Sequence, residues 1–151
     1  MSDGVASGIR EDRSGAALAE LLEGNGFEVV ERAVCPDEIE RVAAALRALA
    51  SAFSGLVVTT GGTGFAPRDI TPEATMQVLE RAAPGLAEAM RAASPLGRLT
   101  RGAAGTIGTC LVLNVPGSPN GAVESVRAVL DVLPHALGLL AGTHDPHPSG
   151  T

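Results

Sequence analysis

The chain has no tryptophan, no tyrosine and no lysine, and only 3 phenylalanines. Its 11 basic residues are therefore all arginines. With glycine, alanine and leucine carrying the composition, this reads as genomic bias rather than function. The absence of lysine has one functional consequence. No lysine follows a glycine-rich loop, which excludes the nucleotide P-loop, and the spaced-glycine dinucleotide fingerprint is also missing. Cysteine is scarce too. Cys35 and Cys110 stand apart with no CxxC spacing, so the expectation is two reduced, partly buried thiols rather than a disulfide or a metal site. No apolar run reaches membrane-spanning length, and the small, polar N-terminus does not read as a signal peptide, so the chain is expected to be cytoplasmic. Positive charge is short as well. A net charge of −6 argues against a nucleic-acid surface, yet a small anionic ligand remains compatible with glycine loops and a few arginines.

What is present is enough for one globular domain: 151 residues, 45% of them hydrophobic. The expected division is a domain over 1–141 and a disordered Pro/Gly/His tail over 142–151. His144 and His147 flank Asp145 in that tail but lack a third fixed ligand for a metal, and His135 reads as a satisfied or solvated helix residue. Leu18, Leu21 and Leu22 give one face to a helix from Ser14 that Gly24 and Gly26 stop. Phe27 to Val34 reads as a strand. From Pro36, the apolar residues Ile39, Val42, Leu46, Leu49 and Phe53 recur at helical spacing, as in an amphipathic helix laid on a sheet. A β-branched strand then leads into Thr59-Thr60. Thr71 to Ala82 reads as a helix with Thr71 as N-cap and Pro72 at the first position. Pro84-Gly85 opens a second short helix ending near Ala93. A hairpin and a buried strand, Leu111 to Val115, precede a last helix, Gly121 to Leu140, with Pro134 a kink or interruption. This alternation predicts a three-layer α/β/α sandwich with a mostly parallel sheet.

The most informative stretch is LVVTTGGTGFAPRDITPEAT, Leu56 to Thr75. It reads as a strand, a glycine loop and a helix start, which offers unpaired N–H groups and a positive dipole end to an anion. Glycines let backbone approach a phosphate closely because no Cβ stands in the way. In open α/β sheets ligands bind at the carboxyl ends of the strands. Three loops are expected there: Cys35-Pro36-Asp37-Glu38, Gly61 to Asp69, and Val115 to Asn120. Asp37 and Asp69 then reach the same edge from different loops. Carboxylates beside phosphates repel them unless a hard divalent cation such as Mg²⁺ lies between. Simpler roles exist for both. Asp37 is favoured near any helix start, and Asp69 can pair with Arg68 or cap the next helix.

Read whole, the string closely resembles the signature TTGGTG-x-x-x-RD-x-TPEA of the MogA/MoaB family of molybdenum-cofactor proteins, which includes the N-terminal domain of gephyrin. SGAALAELLEGNGFEV, CPDE, RAAPGLAEAMR, LTRGAAGTIG and LVLNVPGSPNGAVES fall in the same order and spacing, so the resemblance runs from Ser2 to Leu140. It implies the molybdopterin-binding fold and Mg²⁺-dependent transfer of an adenylyl group from ATP to molybdopterin. Asp37 and Asp69 would be the catalytic, metal-holding residues. Asp3, Thr60, Gly61, Gly62, Thr63, Gly64, Arg68, Thr100, Arg101, Pro116, Gly117 and Ser118 would bind substrate. Thr100 stands where the family more often has a serine. On local sequence a surface salt bridge suits Arg101 as well as a ligand contact. The resemblance also implies a homotrimer, with the faces around Leu86 to Ala93 at the contact, and a downstream molybdenum-insertion protein as partner. The alternatives are a non-catalytic molybdopterin-binding protein of the same fold and a truncated, non-functional product. Family members begin with an apolar strand running into Ser-Asp. Met1 stands where that strand would end, so either the first strand is missing and the sheet is expected to open beside Phe27 to Val34, or the start was placed too late.

Overall fold

A computed structural model describes residues 12–143. Asp3, His144 and His147 lie outside the described residues. The elements are α1 (Arg13–Glu23), α2 (Ile39–Ala50), β1 (Gly55–Thr60), α3 (Thr71–Met76), β2 (Arg81–Ala82), α4 (Pro84–Ala92), a 3₁₀ turn (Pro95–Leu99), β3 (Ala104–Ile107), β4 (Cys110–Val115), α5 (Pro119–Arg127) and α6 (Leu133–Leu140). No helix among them is long and apolar enough to cross a membrane.

The strands form one sheet in the order β1-β4-β3-β2. β1 and β4 run parallel, with Gly55 opposite Cys110 and Thr60 opposite Val115. β4 is buried along its whole length, as a central strand covered on both faces must be. Its side chains alternate between two cores. Leu111, Leu113 and Val115 meet Leu18, Met90, Val126 and Leu133 on one side, whereas Cys110 and Val112 meet Val42, Leu46, Val57 and Ala74 on the other. Helices α1, α4, α5 and α6 thus cover one face and α2 and α3 the other, which is the expected three-layer sandwich. Both cysteines are free and buried.

The sheet is mixed rather than mostly parallel. Only Gly108 and Thr109 separate β3 from β4, and a connection that short permits only antiparallel pairing. Gly108 takes φ +55° in that turn. β2, too short to be apparent in the sequence, then pairs antiparallel with β3. Residues 77–82 consequently leave the helix expected to continue to Ala82, because Glu80 N donates to Thr106 O and Ala83 N to Ala104 O (both 2.8 Å). The expected final helix is two helices, and Pro134 lies in the first turn of the second.

The largest difference concerns Phe27 to Val34, which forms no strand. The period-2 pattern survives in its burial at the start: Phe27 and Val29 are half-buried, whereas Glu28 is exposed and Val30 is 64% exposed. No strand among the described residues pairs with the outer edge of β1. Phe27 to Cys35 and Gly55 to Thr60 both line a cavity of about 1080 Å³. The segment is instead fastened at Phe27, whose N donates to Leu22 O at 3.0 Å, and at Arg32, whose Nη2 donates to Asp12 Oδ2 at 3.0 Å. Asp12 also caps α1 by accepting from Gly15 N at 2.9 Å.

Asn114 is the polar exception in β4, and it is 2% exposed. Its Nδ2 donates to Thr59 Oγ1 (2.9 Å) and Thr75 Oγ1 (3.0 Å), and its Oδ1 accepts from Ala103 N (3.1 Å). One amide therefore joins β1, β4, α3 and the segment before β3. Replacing Asn114 with leucine strands three buried groups. At about 1–3 kcal/mol for each unsatisfied group, partly relieved by relaxation, the loss should be about 3 kcal/mol in denaturant unfolding.

Candidate active site

Because β1 and β4 are parallel and in register, Thr60 and Val115 end at the same level and their following loops emerge side by side. The loops are tied together. Gly61 N donates to Val115 O at 3.0 Å, and Thr60 Oγ1 donates to Pro116 O at 2.9 Å. A Cβ on Gly117 would stand 3.2 Å from Gly61 Cα, so the two glycine loops are in contact. Gly61 (φ +92°) and Gly62 (φ +65°) take left-handed backbone that other residues rarely adopt. A side chain on Gly62 would also collide with Thr71. Cys35, Asp37, Gly61, Gly62, Asp69 and Gly117 line the end of the 1080 Å³ cavity beside these loops, so the three loops expected to converge do so.

Asp37 is half-buried, and burial holds its carboxyl above the usual carboxylate range, with the negative charge of Asp69 adding to the rise. The two carboxylates are therefore electrostatically coupled across loops 32 residues apart in sequence. Asp69 Oδ2 accepts from Ala66 N at 2.9 Å, and Asp69 N donates to Ala66 O at the same distance, closing a turn. Among the described residues no group of three or more His, Cys, Asp or Glu could hold a metal ion. A pair of carboxylates on a cavity fits a hard cation that takes its remaining ligands from phosphate and water. Cys35 lies at the same cavity, but burial pushes its thiol pKa up, so it stays protonated at neutral pH and supplies no thiolate.

Several residues expected to bind substrate are engaged within the protein. Thr63 is buried, its Oγ1 accepting from Thr100 Oγ1 at 2.9 Å. Arg101 Nε donates to Gly64 O and its Nη2 to Asp69 O, each at 2.6 Å. Its Nη1 donates to Glu73, forming the salt bridge that the sequence left open. Ser118 caps α5 by accepting from Gly121 N at 3.2 Å. Arg68 is exposed on the glycine loop, and Pro116 is half-buried beside Thr60. Thr71 is not an N-cap: the cap position is Ile70, and α3 has six residues. At six residues, α3 adds little helix dipole to the glycine loop that precedes it. The sequence reading passed over Asn114 and Glu73. An asparagine inside an otherwise apolar strand was the available signal for the first. For Glu73, across 28 residues from Arg101, local sequence holds none.

An open α/β sheet with glycine loops and two carboxylates at its carboxyl edge defines a ligand-binding protein of the kind that meets its ligand at strand ends. Residues 1–135 match the "probable molybdopterin binding domain" family, and the chain belongs to that family. It is 37% identical over 150 residues to the molybdopterin adenylyltransferase of Helicobacter pylori, covering 95% of this chain and 85% of that one. The molybdopterin adenylyltransferase of Escherichia coli is 38% identical over 139 residues, covering 87% and 71%. Among solved structures, the molybdopterin biosynthesis enzyme MoaB of Thermus thermophilus superposes with a TM-score of 0.88 at 47% identity, covering 97% of this chain and 94% of that one.

The coupling of the carboxylates has a measurable sign. Asp69→Asn removes a negative charge that raises the Asp37 pKa, so the Asp37 carboxyl should titrate at lower pH in the variant. Carbon-detected NMR titration of Asp37 reads this directly, and an unchanged or higher value would show that the two carboxylates are not neighbours.

Proposed function

We propose that the chain is a molybdopterin adenylyltransferase of molybdenum cofactor biosynthesis, with ATP and molybdopterin as substrates. The observation that carries this reading is Asp37 and Asp69 meeting at one cavity beside two glycine loops, in a chain 37–38% identical to proteins of that name. An oxygen of the terminal phosphate of molybdopterin attacks the α-phosphorus of ATP. The bond from that phosphorus to the bridging oxygen breaks, giving adenylyl-molybdopterin and pyrophosphate. A phosphate monoester is already ionised at neutral pH, so no general base is required, and among the described residues no histidine lines the cavity. Alignment and charge neutralisation between two anions are what the protein must supply.

Asp37 and Asp69 would hold Mg²⁺, which when bound supplies positive charge to the ATP phosphates and the leaving pyrophosphate. The Gly61 amide is already given to Val115 O, so holding phosphate oxygens falls to the amides of Gly62 to Gly64. On the facing loop the Gly117 amide and the Ser118 hydroxyl, which accepts from Gly121 and still has its own proton to donate, would receive the second anion. Thr60, Thr63, Thr100, Arg101 and Pro116 shape these loops, and Arg68 adds positive charge at the rim.

The protein is further proposed to be a cytoplasmic homotrimer that passes its product to a molybdenum-insertion protein. Ala87 and Met90 of the expected contact face belong to the chain's own core, so the neighbouring apolar surface at Leu96 (73% exposed) and Leu99 (54%) is the better trimer contact. Sedimentation at micromolar concentration should give three times the chain mass, and Leu96→Glu combined with Leu99→Glu should reduce it to the monomer.

Asp69→Asn should lower adenylyl transfer on the order of 10²–10³-fold or more, the scale for losing one preorganised charge-stabilising group, while molybdopterin binding is largely kept. Equal loss of both would show that Asp69 serves the pterin instead. A chain that binds molybdopterin tightly yet releases no pyrophosphate from ATP would be the non-catalytic member of the fold. Because the Asp37 pKa is raised and only the ionised form holds a cation, apparent Mg²⁺ affinity should fall with decreasing pH earlier than for an ordinary carboxylate. Its midpoint should move to lower pH in Asp69→Asn.

A further inference from the structure

Arg101 points its guanidinium at the back of the loop that carries Asp69. Its Nε donates to Gly64 O at 2.6 Å and its Nη2 to Asp69 O at 2.6 Å, so one side chain grips both ends of the Gly64–Asp69 turn. Nη1 donates to Glu73 Oε1, and Nη2 also reaches Glu73 Oε2 at 3.4 Å, fastening the fork to α3. From its backbone, Arg101 N donates to Thr63 O at 2.7 Å, which anchors the fork against the start of the same loop. Four of the five guanidinium N–H donors are thereby occupied, and Glu73 faces the positive charge. Little remains for an anionic substrate. Inside the turn, the Asp69 carboxylate accepts from Ala66 N, and a Cβ on Gly64 would stand 2.8 Å from Asp69 Oδ2, so the turn sets where that carboxylate lies.

We infer that Arg101 is a positioning residue: it binds no substrate, and through Gly64 O and Asp69 O its guanidinium holds the Gly64–Asp69 turn so that Asp69 faces the cavity in the geometry a divalent cation needs. This rests on the proposed role of Asp69 toward a cation. Lysine cannot replace arginine here, because a single ammonium cannot span two carbonyls and a carboxylate as a planar fork does. Supports one step behind a metal ligand typically affect metal affinity by about 10–100-fold.

The test compares Arg101→Lys and Glu73→Gln with the parent chain by three readouts. These are Mn²⁺ binding followed through water-proton relaxation, molybdopterin binding, and amide exchange across residues 64–69. Arg101→Lys should weaken Mn²⁺ binding about tenfold or more and speed exchange in the turn, with molybdopterin affinity little changed. Glu73→Gln keeps both carbonyl contacts of Arg101, so its Mn²⁺ affinity should change far less. Loss of molybdopterin affinity in Arg101→Lys with Mn²⁺ binding and exchange unaltered would overturn the inference in favour of a ligand contact. An equal loss of Mn²⁺ affinity in Glu73→Gln would overturn it in favour of the ion pair alone. If the parent chain itself binds no Mn²⁺, the reading of Asp37 and Asp69 fails, while exchange in the turn still decides whether Arg101 holds it.

Discussion

The structure depends on a polar side chain placed where only apolar ones are comfortable. Asn114 lies in a strand covered on both faces, and its amide must satisfy its hydrogen bonds inside the protein or impose a penalty of kilocalories. It does so by reaching β1 through Thr59, α3 through Thr75 and the segment before β3 through Ala103. Those partners lie directly beneath the glycine loop. The strand that feeds the loop, the helix that receives it and the segment that supplies Arg101 are thus brought into one register. A hydrophobic residue at the same position would pack, but it would specify none of these relations.

Above that hub the loop is held from two further directions. Contact between Gly117 and Gly61 leaves no room for the facing loop to shift, and Arg101 grips the far end at Gly64 and Asp69. The Cys35 to Glu38 side is held differently. Asp37 follows a segment without strand pairing and adjoins the cavity beside β1. The two carboxylates therefore differ in how they are held. Asp69 belongs to a braced turn, whereas Asp37 leads into α2 from a segment that joins no strand.

How far the sequence could be read follows from how local each signal is. The strand, glycine loop and helix start at Leu56 to Thr75 are local, and they appear in order, as does the meeting of Asp37, Asp69 and Gly117 at one edge. Where the reading departed from the structure, a distant partner decided the outcome. Phe27 to Val34 has the alternation of a strand, but alternation does not supply a neighbour, and none of the described residues pairs with it. Residues 77–82 have helical spacing, yet β3 captures Glu80 and Ala83 for hydrogen bonding. For Arg101 the sequence left a salt bridge and a ligand contact equally open, because its neighbours in sequence say nothing of Gly64, Asp69 and Glu73. Nor does local sequence hold the bond by which Thr100 Oγ1 donates to Thr63 Oγ1.

The missing lysines take on meaning at the site. A chain with net charge −6 and only arginines for cations must receive two phosphate-bearing substrates at an edge that already carries two carboxylates. Arg101, close to that edge, has its charge balanced by Glu73, whose carboxyl it holds below the usual range through their hydrogen bond. On the proposed reading, positive potential for the ligands would come from loop amides, from Arg68 at the rim and from a cation held by Asp37 and Asp69. In that arrangement the carboxylates are no obstacle to anion binding but a condition for it. A divalent ion held there would draw both ligands to one point and would screen their phosphates from each other.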